Sequence, residues 1–357
     1  MSANVVRVDP EHPDPAVIER AAAIIRRGGL VAFPTETVYG LGANALDEDA
    51  VRSIFEAKRR ALDDPVIVHV AAPSDLGGIV AELPTGARVL ADRFWPGPLT
   101  LVLPKVPVIP DVATAGLPTV AVRVPSHPVA QALIRAAGVP IAAPSANRFT
   151  RTSATRAEHV VEDLGDRVDL ILDGGPAPHG IESTVVAVSG AEARLLRPGA
   201  TTPEALADAL SALDPPLPLL LGAVGRTASP GLMARHYSPR ASLFLLTGEP
   251  AETRPALRRA VERGLEAGRR VGVLLVDEDA SLLADLLDRI ETVRLGSEAV
   301  LGEVAGRLFA AMRALDSAGC DAIYARSLGT AGLGLAILDR LTRAAHPNDD
   351  TSTQPSA

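Results

Sequence analysis

The order of short apolar strands and amphipathic helices constrains the fold of this chain more than any other feature, and that order changes near residue 241. Beyond this residue, strands and helices alternate strictly. The predicted strands cover 241–247, 270–276, 291–295 and 321–325, and the predicted helices cover 252–267, 279–288, 297–316 and 332–344. Strict alternation is typical of parallel sheets connected by crossover helices. The pattern therefore predicts a smaller, Rossmann-like parallel α/β domain over 241–345.

The first part of the chain follows a less regular order. Its predicted strands cover 30–33, 65–70, 99–103, 119–124, 139–143, 168–172, 184–188 and 193–196. Its predicted helices cover 15–27, 47–58, 86–94, 128–137, 155–164 and 203–213. Some strands follow one another directly and others are separated by a helix. This order favours an α+β or mixed-sheet α/β domain over a regular doubly wound one.

Proline-rich and polar segments set the predicted domain boundaries. The first domain covers 1–213 and ends before the stiff, proline-rich stretch from Asp214 to Pro218. Residues 214–240 show little periodicity and are interpreted as a linker. Residues 346–357 are polar and non-periodic, which is typical of a disordered tail.

The composition argues against several classes of protein. The 357 residues carry a formal net charge of −8, whereas general nucleic-acid binders need a dense basic surface to attract phosphates. The single cysteine, Cys320, excludes an intramolecular disulfide and a cysteine-cluster metal site. Residues 1–15 lack the apolar core of a signal peptide, and no apolar run is long enough to cross a bilayer. We therefore expect a cytoplasmic protein that does not bind membranes.

Small polar side chains follow several of the predicted buried strands. Thr35, Thr37 and Tyr39 come directly after one strand, and Ser145 and Asn147 come after another. Ligands of α/β proteins bind at such strand ends, and neighbouring glycines let a ligand approach the backbone. For each turn taken alone, an ordinary polar turn explains the residues at least equally well.

Ionisable side chains stand at further strand and helix ends. Lys58 and Arg60 follow a predicted helix and fit either a helix C-terminus paired with nearby aspartates such as Asp64 or an anion clamp for a triphosphate. Arg123 interrupts an apolar strand, so it needs either an internal ion pair or a bound carboxylate or phosphate. His69 ends another strand, and without a second histidine at ligand spacing it predicts no zinc site.

The combination of these strand ends is more informative than any one of them. Several present hydroxyls or a cation, yet the sequence has no nucleophile–histidine–acid set and no Walker A loop or glycine-rich dinucleotide fingerprint. The combination therefore favours binding of a nucleotide and a small anion over hydrolysis, with a nucleotide site of another kind.

Six motifs occur in one order along the first domain. They are residues 34–42 (PTETVYGLG), 95–100 (WPGPLT), 121–125 (AVRVP), 143–147 (APSAN), 182–185 (ESTV) and 196–199 (LRPG). With this ordered set, the chain resembles the threonylcarbamoyl-AMP synthase family. The segment from Pro230 to Pro239, which includes His236-Tyr237-Ser238-Pro239, and the second domain resemble the long, two-domain Sua5 form rather than the single-domain YrdC form. The resemblance covers about residues 15 to 345.

The resemblance implies a YrdC-like twisted mixed sheet with helices, followed by the smaller α/β domain, and a nucleotidyltransferase activity. The implied reaction converts L-threonine, bicarbonate and ATP to threonylcarbamoyl-AMP and pyrophosphate. The product would supply a partner transferase that makes N6-threonylcarbamoyladenosine (t6A) at position 37 of tRNA. Mg²⁺ is expected together with ATP, and any direct contact with tRNA is expected to be weak.

The resemblance also implies roles for individual residues. Those expected to bind L-threonine are Thr35, His69, Arg123, Ala143 and Ser183. Those expected to bind ATP are Lys58, Arg60, Thr119, Ser145, Asn147, Ser153, Arg197 and, as a lid from the linker, Tyr237. The expected catalytic residues are Lys58, Arg60 and Arg123, and no metal ligand is assigned among the side chains.

The chain departs from the family pattern beside its cationic segment. Ala61 stands where the family has proline, and Asp64 stands where it has asparagine. A carboxylate near a phosphate is unfavourable unless Mg²⁺ or Arg60 neutralises it. Two alternatives stay open: a YrdC-like RNA-binding module without catalysis, and a carbamoyl transferase that uses carbamoyl phosphate.

Overall fold

The structure is a computed structural model that describes residues 4–222 and 236–345. The chain divides into two compact units, residues 1–233 and residues 234–357. Each unit has its own sheet.

The first unit contains an eleven-stranded sheet. Its strands are β1 (Val5–Arg7), β2 (Val31–Phe33), β3 (Gly40–Asn44), β4 (Ile67–His69), β5 (Leu99–Pro104), β6 (Thr119–Arg123), β7 (Ile141–Ala142), β8 (Leu170–Asp173), β9 (Thr184–Val188), β10 (Ala193–Arg197) and β11 (Leu219–Leu221). Their order across the sheet is β1-β8-β2-β3-β7-β4-β6-β5-β9-β10-β11. The sheet contains parallel neighbours such as β4 and β6 and antiparallel neighbours such as β5 and β6, which confirms the predicted mixed sheet.

Seven α-helices accompany this sheet in the described part of the unit. They are α1 (Pro15–Arg26), α2 (Glu48–Lys58), α3 (Thr85–Phe94), α4 (Asp111–Thr114), α5 (Pro128–Ala137), α6 (Ala157–Leu164) and α7 (Pro203–Ser211). Side-chain caps fix several helix starts: Asp14 accepts a hydrogen bond from the Ala16 amide, and Asp47 accepts bonds from Asp49 and Ala50. These caps satisfy amide groups that a helix cannot satisfy internally.

A large aliphatic core joins two of these helices to the sheet. Ile25 of α1 and Leu133 of α5 belong to one buried cluster with Phe33 of β2 and Leu172 of β8. Only 3% of the residues are aromatic, so branched aliphatic side chains and alanine fill most of this space. The core fixes the strands from one side and thereby sets the positions of the loops that follow them.

The second unit is a four-stranded parallel sheet with helices. Its strands are β12 (Ser242–Leu246), β13 (Val271–Val276), β14 (Glu291–Gly296) and β15 (Ala322–Arg326), in the order β12-β15-β13-β14. All three strand pairings are parallel, which confirms the predicted second fold. The helices are α8 (Pro250–Glu266), α9 (Leu301–Ser317) and α10 (Leu333–Ala344).

The structure also contains elements that the pattern did not predict. Strand β3 lies where the glycines of 40–42 indicated a loop, because those glycines serve close packing: a Cβ at Gly42 would lie 2.7 Å from the ring of Phe33. The short edge strands β1 and β11 were also missed, and β11 lies within the predicted linker. Each has three residues, too few to show a period.

Some predicted element types and bounds differ from those observed. The segment Ser281–Arg289 is a 3-10 helix, where the pattern predicted an α-helix over 279–288. It lies on the connection between the neighbouring parallel strands β13 and β14, and 3-10 turns are frequent in connecting segments. The predicted tail, 346–357, and residues 223–235 of the predicted linker lie outside the described residues. The domain boundaries at 213 and 240 stay predictions.

Candidate functional site

Strands β4 and β6 provide the frame of the candidate site. They run parallel, and their register pairs His69 with Arg123 at the carboxyl ends of both strands. Because side chains alternate along a strand, Ile67 lies on the same face as His69, and Ala121 lies on the same face as Arg123. Two polar side chains therefore stand at the strand ends above an apolar surface.

Arg123 is held by the turn that follows β2. Its Nη2 lies 2.5 Å from Oε1 of Glu36, its Nη1 donates to Oγ1 of Thr37 at 2.8 Å, and its Nε donates to the carbonyl of Gly97 at 3.2 Å. The side chains of Arg123 and Glu36 are only 4% and 6% exposed. The guanidinium is thus oriented by the protein itself, and the internal ion pair considered from the sequence is present.

Glu36 is a site residue that the sequence reasoning missed. Burial would raise the pKa of its carboxyl, but the charge and hydrogen bond of Arg123 and nearby backbone amides lower the pKa below its ordinary value. The carboxylate is therefore charged at neutral pH. The sequence contained part of the signal for this pair, because an arginine inside an apolar strand needs either an internal acid or a bound anion as its partner.

Two threonine hydroxyls complete the same turn. Oγ1 of Thr35 lies 2.8 Å from Oγ1 of Thr37 and donates to the carbonyl of Val38 at 2.6 Å. The amides of Thr37 and Val38 donate back to Thr35 Oγ1. Thr35, predicted to bind L-threonine, therefore lies one hydrogen bond from Thr37, which in turn contacts Arg123.

His69 is buried and neutral beside this cluster. Burial is the main cause that lowers its pKa to about 3, and the positive charge of Arg123 lowers it further. Its Nδ1 has no hydrogen-bond partner among the residues that the structure describes. Around neutral pH the imidazole can therefore hydrogen-bond a ligand but does not carry charge.

Ser183 joins two strands of the site. Its hydroxyl lies 2.7 Å from Oγ1 of Thr100, and Nη2 of Arg197 lies 3.0 Å from its carbonyl and 3.2 Å from its Oγ. The segment is packed closely against Gly199, where a Cβ would lie 2.4 Å from the amide nitrogen of Thr184. The structure thus brings together Ser183 and Arg197, which were predicted to bind different substrates.

Lys58, the last residue of α2, lies in a second part of the site. Its Nζ donates to the carbonyls of Ser145, at 2.5 Å, and Asn147. The side chain is buried, and burial first, then the charge of Arg60, lowers its pKa well below the ordinary value. Neutral carbonyls do not balance an ammonium charge, so a bound anion would favour the charged form.

The loop over residues 144–154 presents further predicted ATP-binding groups. Nδ2 of Asn147 donates to the carbonyls of Arg148 and Arg151, at 2.9 and 2.8 Å. The hydroxyl of Ser153 donates to Oε1 of Glu182, another acid that the sequence reasoning did not single out. Backbone bonds and side-chain amides therefore hold this loop in one shape.

The two parts of the site are tied together by the backbone. The amide of Ala146 donates to the carbonyl of Tyr39 at 2.7 Å, the amide of Tyr39 donates to Ala154 at 2.8 Å, and Gly40 pairs with Ser145. The turn that orients Arg123 is thus hydrogen-bonded to the loop that accepts the Lys58 ammonium. A ligand in one part would lie next to a ligand in the other.

Arg60 is paired with the carboxylate at position 64. Its Nη2 lies 2.8 Å from Oδ2 of Asp64, and both side chains are almost fully buried. The guanidinium also lies 5.9 Å from the ring centroid of Phe55 and 5.6 Å from that of Phe149. The ion pair to a nearby aspartate, one of the two sequence-based interpretations of this segment, is therefore present.

The remaining predicted residues occupy different places. Thr119 lies at the opposite end of β6 from Arg123, on the same face and roughly 13 Å away along the strand. The amide of Ala143 donates to the carbonyl of Ile67 at 2.9 Å, so Ala143 adjoins the frame of the site.

Tyr237 belongs to the second unit. Its ring stacks on Phe309 at 5.4 Å, and the Arg340 guanidinium lies 5.2 Å from its centroid. The lid role assigned to it therefore stays a prediction.

A buried apolar cluster lies between Thr119 and the polar strand ends. Residues from five strands form one cluster there, namely Ile67, Val102, Ala121, Val185 and Leu196.

Comparison with known proteins decides the family. The family model described as telomere recombination matches residues 23–199, and the model described as threonylcarbamoyl-AMP synthase, C-terminal domain, matches residues 201–346. The threonylcarbamoyl-AMP synthase of Pyrococcus abyssi is 43% identical over 92% of this chain and 93% of its own length. The chain belongs to the threonylcarbamoyl-AMP synthase family. The Bacillus subtilis member is 44% identical, again over 92% of both chains.

A solved structure of the two-domain Sua5 form supports the same family assignment. The crystal structure of Pyrococcus abyssi Sua5 complexed with L-threonine matches with a TM-score of 0.87 and 41% identity, and covers 96% of this chain and 97% of that one. The family and the fold class predicted from the motifs are therefore confirmed. Among the residues that the structure describes, no helix is long and apolar enough to span a membrane.

Proposed function

We propose that this chain is an L-threonylcarbamoyladenylate synthase, which converts L-threonine, bicarbonate and ATP to threonylcarbamoyl-AMP, pyrophosphate and water. The observation that carries the proposal is the hydrogen-bonded connection between the turn that orients Arg123 and the loop that accepts Lys58. It brings a place for a carboxylate next to a place for a polyphosphate. Relatives with this name and the threonine complex of P. abyssi Sua5 support the choice of substrates.

The Arg123 cluster would hold L-threonine. Arg123 pairs with the substrate carboxylate, because a guanidinium with fixed orientation binds a carboxylate with charge-assisted hydrogen bonds. Thr35, Ser183 and neutral His69 offer hydrogen-bond partners for the hydroxyl and the amine. Because the amine must be unprotonated to capture CO2, a site without a charged histidine nearby suits this step.

The Lys58 region would hold ATP. Lys58 and Arg60 attract the polyphosphate, while Ser145, Asn147, Ser153 and Arg197 lie at the neighbouring strand ends. Thr119 would bind the nucleoside end of ATP, as the resemblance to the family implies. The described residues contain no cluster of three or more acids, histidines or cysteines that could hold a metal ion. Mg²⁺ therefore enters as MgATP, with phosphate and water oxygens as most of its ligands.

Positioning and charge neutralisation carry most of the proposed chemistry. The threonine amine and CO2 from bicarbonate form a carbamate, and a carbamate oxygen attacks the α-phosphorus of ATP. The bond between the α-phosphorus and the bridging oxygen breaks, and pyrophosphate leaves. The protein holds two anions side by side, offsets their repulsion with cations and shields the mixed anhydride from water. No side chain needs to act as a covalent nucleophile in this sequence of steps.

The proposed product also defines the expected partners. A mixed anhydride is short-lived in water, so a t6A transferase must consume it nearby. Direct contact with tRNA is expected to be weak, because the chain has a net charge of −8. We expect this role to be carried out in the cytoplasm.

Pyrophosphate release by the purified chain tests the proposal. We expect release only when ATP, L-threonine and bicarbonate are all present, and we expect it to be lost in Arg123→Ala. Arg52→Ala is the matched control, because Arg52 lies exposed on α2 and pairs only with Glu48 in the described contacts. Release without threonine would indicate another acceptor or an ATPase. No release from folded protein would favour the RNA-binding alternative.

A further inference from the structure

Asp64 forms an ion pair with Arg60, the residue that the proposed function assigns to the polyphosphate. Its Oδ2 lies 2.8 Å from Nη2 of Arg60, and the two side chains are 6% and 4% exposed. The Asp64 carbonyl also accepts a hydrogen bond from Nε of Arg60 at 3.1 Å, and the Pro65 carbonyl accepts one from Nη2 at 2.8 Å. One short segment thus supplies a charged and two neutral acceptors to a single guanidinium.

The surroundings of this pair strengthen the competition between carboxylate and phosphate. Aromatic rings of Phe55 and Phe149 lie near the guanidinium, and the neighbouring Lys58 is buried. Charges interact more strongly in such surroundings than in water. A phosphate that approaches Arg60 therefore has to displace the Asp64 carboxylate or bind in its repulsive field.

We infer that Asp64 is a built-in counter-ion of Arg60 that competes with the ATP polyphosphate for the guanidinium and so weakens ATP binding by this chain. The inference rests on the proposed function, which assigns Arg60 to the polyphosphate and identifies the nucleotide as ATP. Asp64 does not touch the reacting atoms, so it is a residue that positions and neutralises Arg60. It sets the affinity for polyphosphate and leaves the threonine cluster around Arg123 unaffected.

The variant Asp64→Asn separates charge from shape. Asparagine has nearly the same size, and its amide oxygen can still accept a hydrogen bond from Arg60, while the backbone acceptors at 64 and 65 are unchanged. Removing one buried negative charge beside the cation should tighten binding of a polyphosphate about tenfold. Asp63→Asn is the matched control, because Asp63 is the preceding residue and its side chain is exposed.

Calorimetric titration of the full chain with magnesium tripolyphosphate measures this effect directly. We expect Asp64→Asn to bind about tenfold more tightly than the wild type and Asp63→Asn to bind like the wild type. In an Arg60→Gln background, the gain from Asp64→Asn should differ from the gain in the wild type, because only repulsion of the phosphate remains and no guanidinium is left to compete for. If Asp64→Asn does not fold, as judged by its melting curve, Asp64→Ser removes the same charge and takes its place.

Steady-state pyrophosphate release adds a second readout. Asp64→Asn should lower KM for ATP about tenfold and leave KM for threonine unchanged, which a purely structural role of Asp64 would not produce. Unchanged or weaker binding of tripolyphosphate by Asp64→Asn would overturn the inference. If the binding is weaker and excess Mg²⁺ restores it, Asp64 is instead a ligand of the metal ion. If tripolyphosphate binds as expected but no adenylate forms, the proposed function fails while the counter-ion role stands. If the wild type binds neither tripolyphosphate nor ATP, both are wrong.

Discussion

Arg123→Ala should have two separable effects, because Arg123 pairs with a buried carboxylate and is also the proposed carboxylate receptor. The substitution leaves Glu36, whose side chain is 6% exposed, without its cation. Breaking a buried ion pair by removing one partner costs about 3–5 kcal/mol of folding stability. For a unit of this size the melting temperature should fall by roughly 6–20 °C.

The same substitution should nearly abolish threonine binding. Loss of one charged partner at a desolvated pair costs about 2–5 kcal/mol, which weakens binding roughly 30-fold to several thousand-fold. The double variant Arg123→Ala with Glu36→Gln removes both charges and keeps the shape of the acid. It should recover most of the lost melting temperature and still fail to bind threonine.

Differential scanning calorimetry and threonine titration of the wild type and the two variants test this reasoning. The expected pattern is a loss of stability that Glu36→Gln rescues, together with a loss of binding that it does not rescue. Two results would refute it: an Arg123→Ala variant as stable as the wild type, or a double variant that binds threonine normally.

The remaining predictions concern packing and protonation. Gly199→Ala should lower the melting temperature and the activity. The added Cβ would lie 2.4 Å from the Thr184 amide nitrogen and would displace the segment that carries Ser183. A variant with a normal melting temperature would contradict the close packing. The pKa of Lys58 is lowered well below its ordinary value, mainly by burial and then by Arg60, so ATP affinity should fall as the pH rises through the folded-state pKa, earlier than for an exposed lysine. A titration of ATP binding across the alkaline range checks this, and constant affinity up to the ordinary lysine pKa would refute it. Burial lowers the pKa of His69 to about 3, so its contribution to stability is present above the unfolded-state pKa near 6.5 and is lost as the pH falls toward 3. Threonine affinity should therefore show no step from His69 near pH 6.5, and a step that disappears in His69→Gln would contradict the assigned neutral state.

The sequence predicted the fold class because the two parts of the chain carry different periodic patterns. The strict alternation after residue 241 corresponds to the parallel sheet β12-β15-β13-β14. The irregular order before it corresponds to a mixed sheet in which β5 pairs parallel with β9 and antiparallel with β6. The sequence pattern did not predict the order of the strands across the sheet, because this order depends on contacts between residues far apart in the chain.

Strand β3 shows where local patterns were insufficient. Its glycines indicate a loop by propensity, yet the close approach of Phe33 and Ile141 to Gly42 requires a residue without a Cβ in a strand. Tertiary packing therefore overrides the local preference at this position.

The sequence singled out the cations and hydroxyls of the candidate site, and Asp64 beside them, but not Glu36 or Glu182, and the assigned binding roles stay predictions. Arg123 and Arg60 were identified as residues that need a partner, and the structure supplies Glu36 and Asp64. The sequence could not choose between an internal acid and a substrate anion, because both satisfy the same guanidinium. In the proposed function, each arginine pairs with the internal acid before the substrate binds. It then binds the substrate anion.

Transfer of labelled bicarbonate into a nucleotide product tests the central claim most directly. The purified chain is incubated with [14C]bicarbonate, ATP and Mg²⁺, with or without L-threonine, and the nucleotides are separated immediately and identified by mass. The proposed reaction predicts a labelled product with the mass of threonylcarbamoyl-AMP that forms only with threonine and is absent in Arg123→Ala. ATP consumption without label in any nucleotide, from folded wild-type protein, would contradict the proposed function.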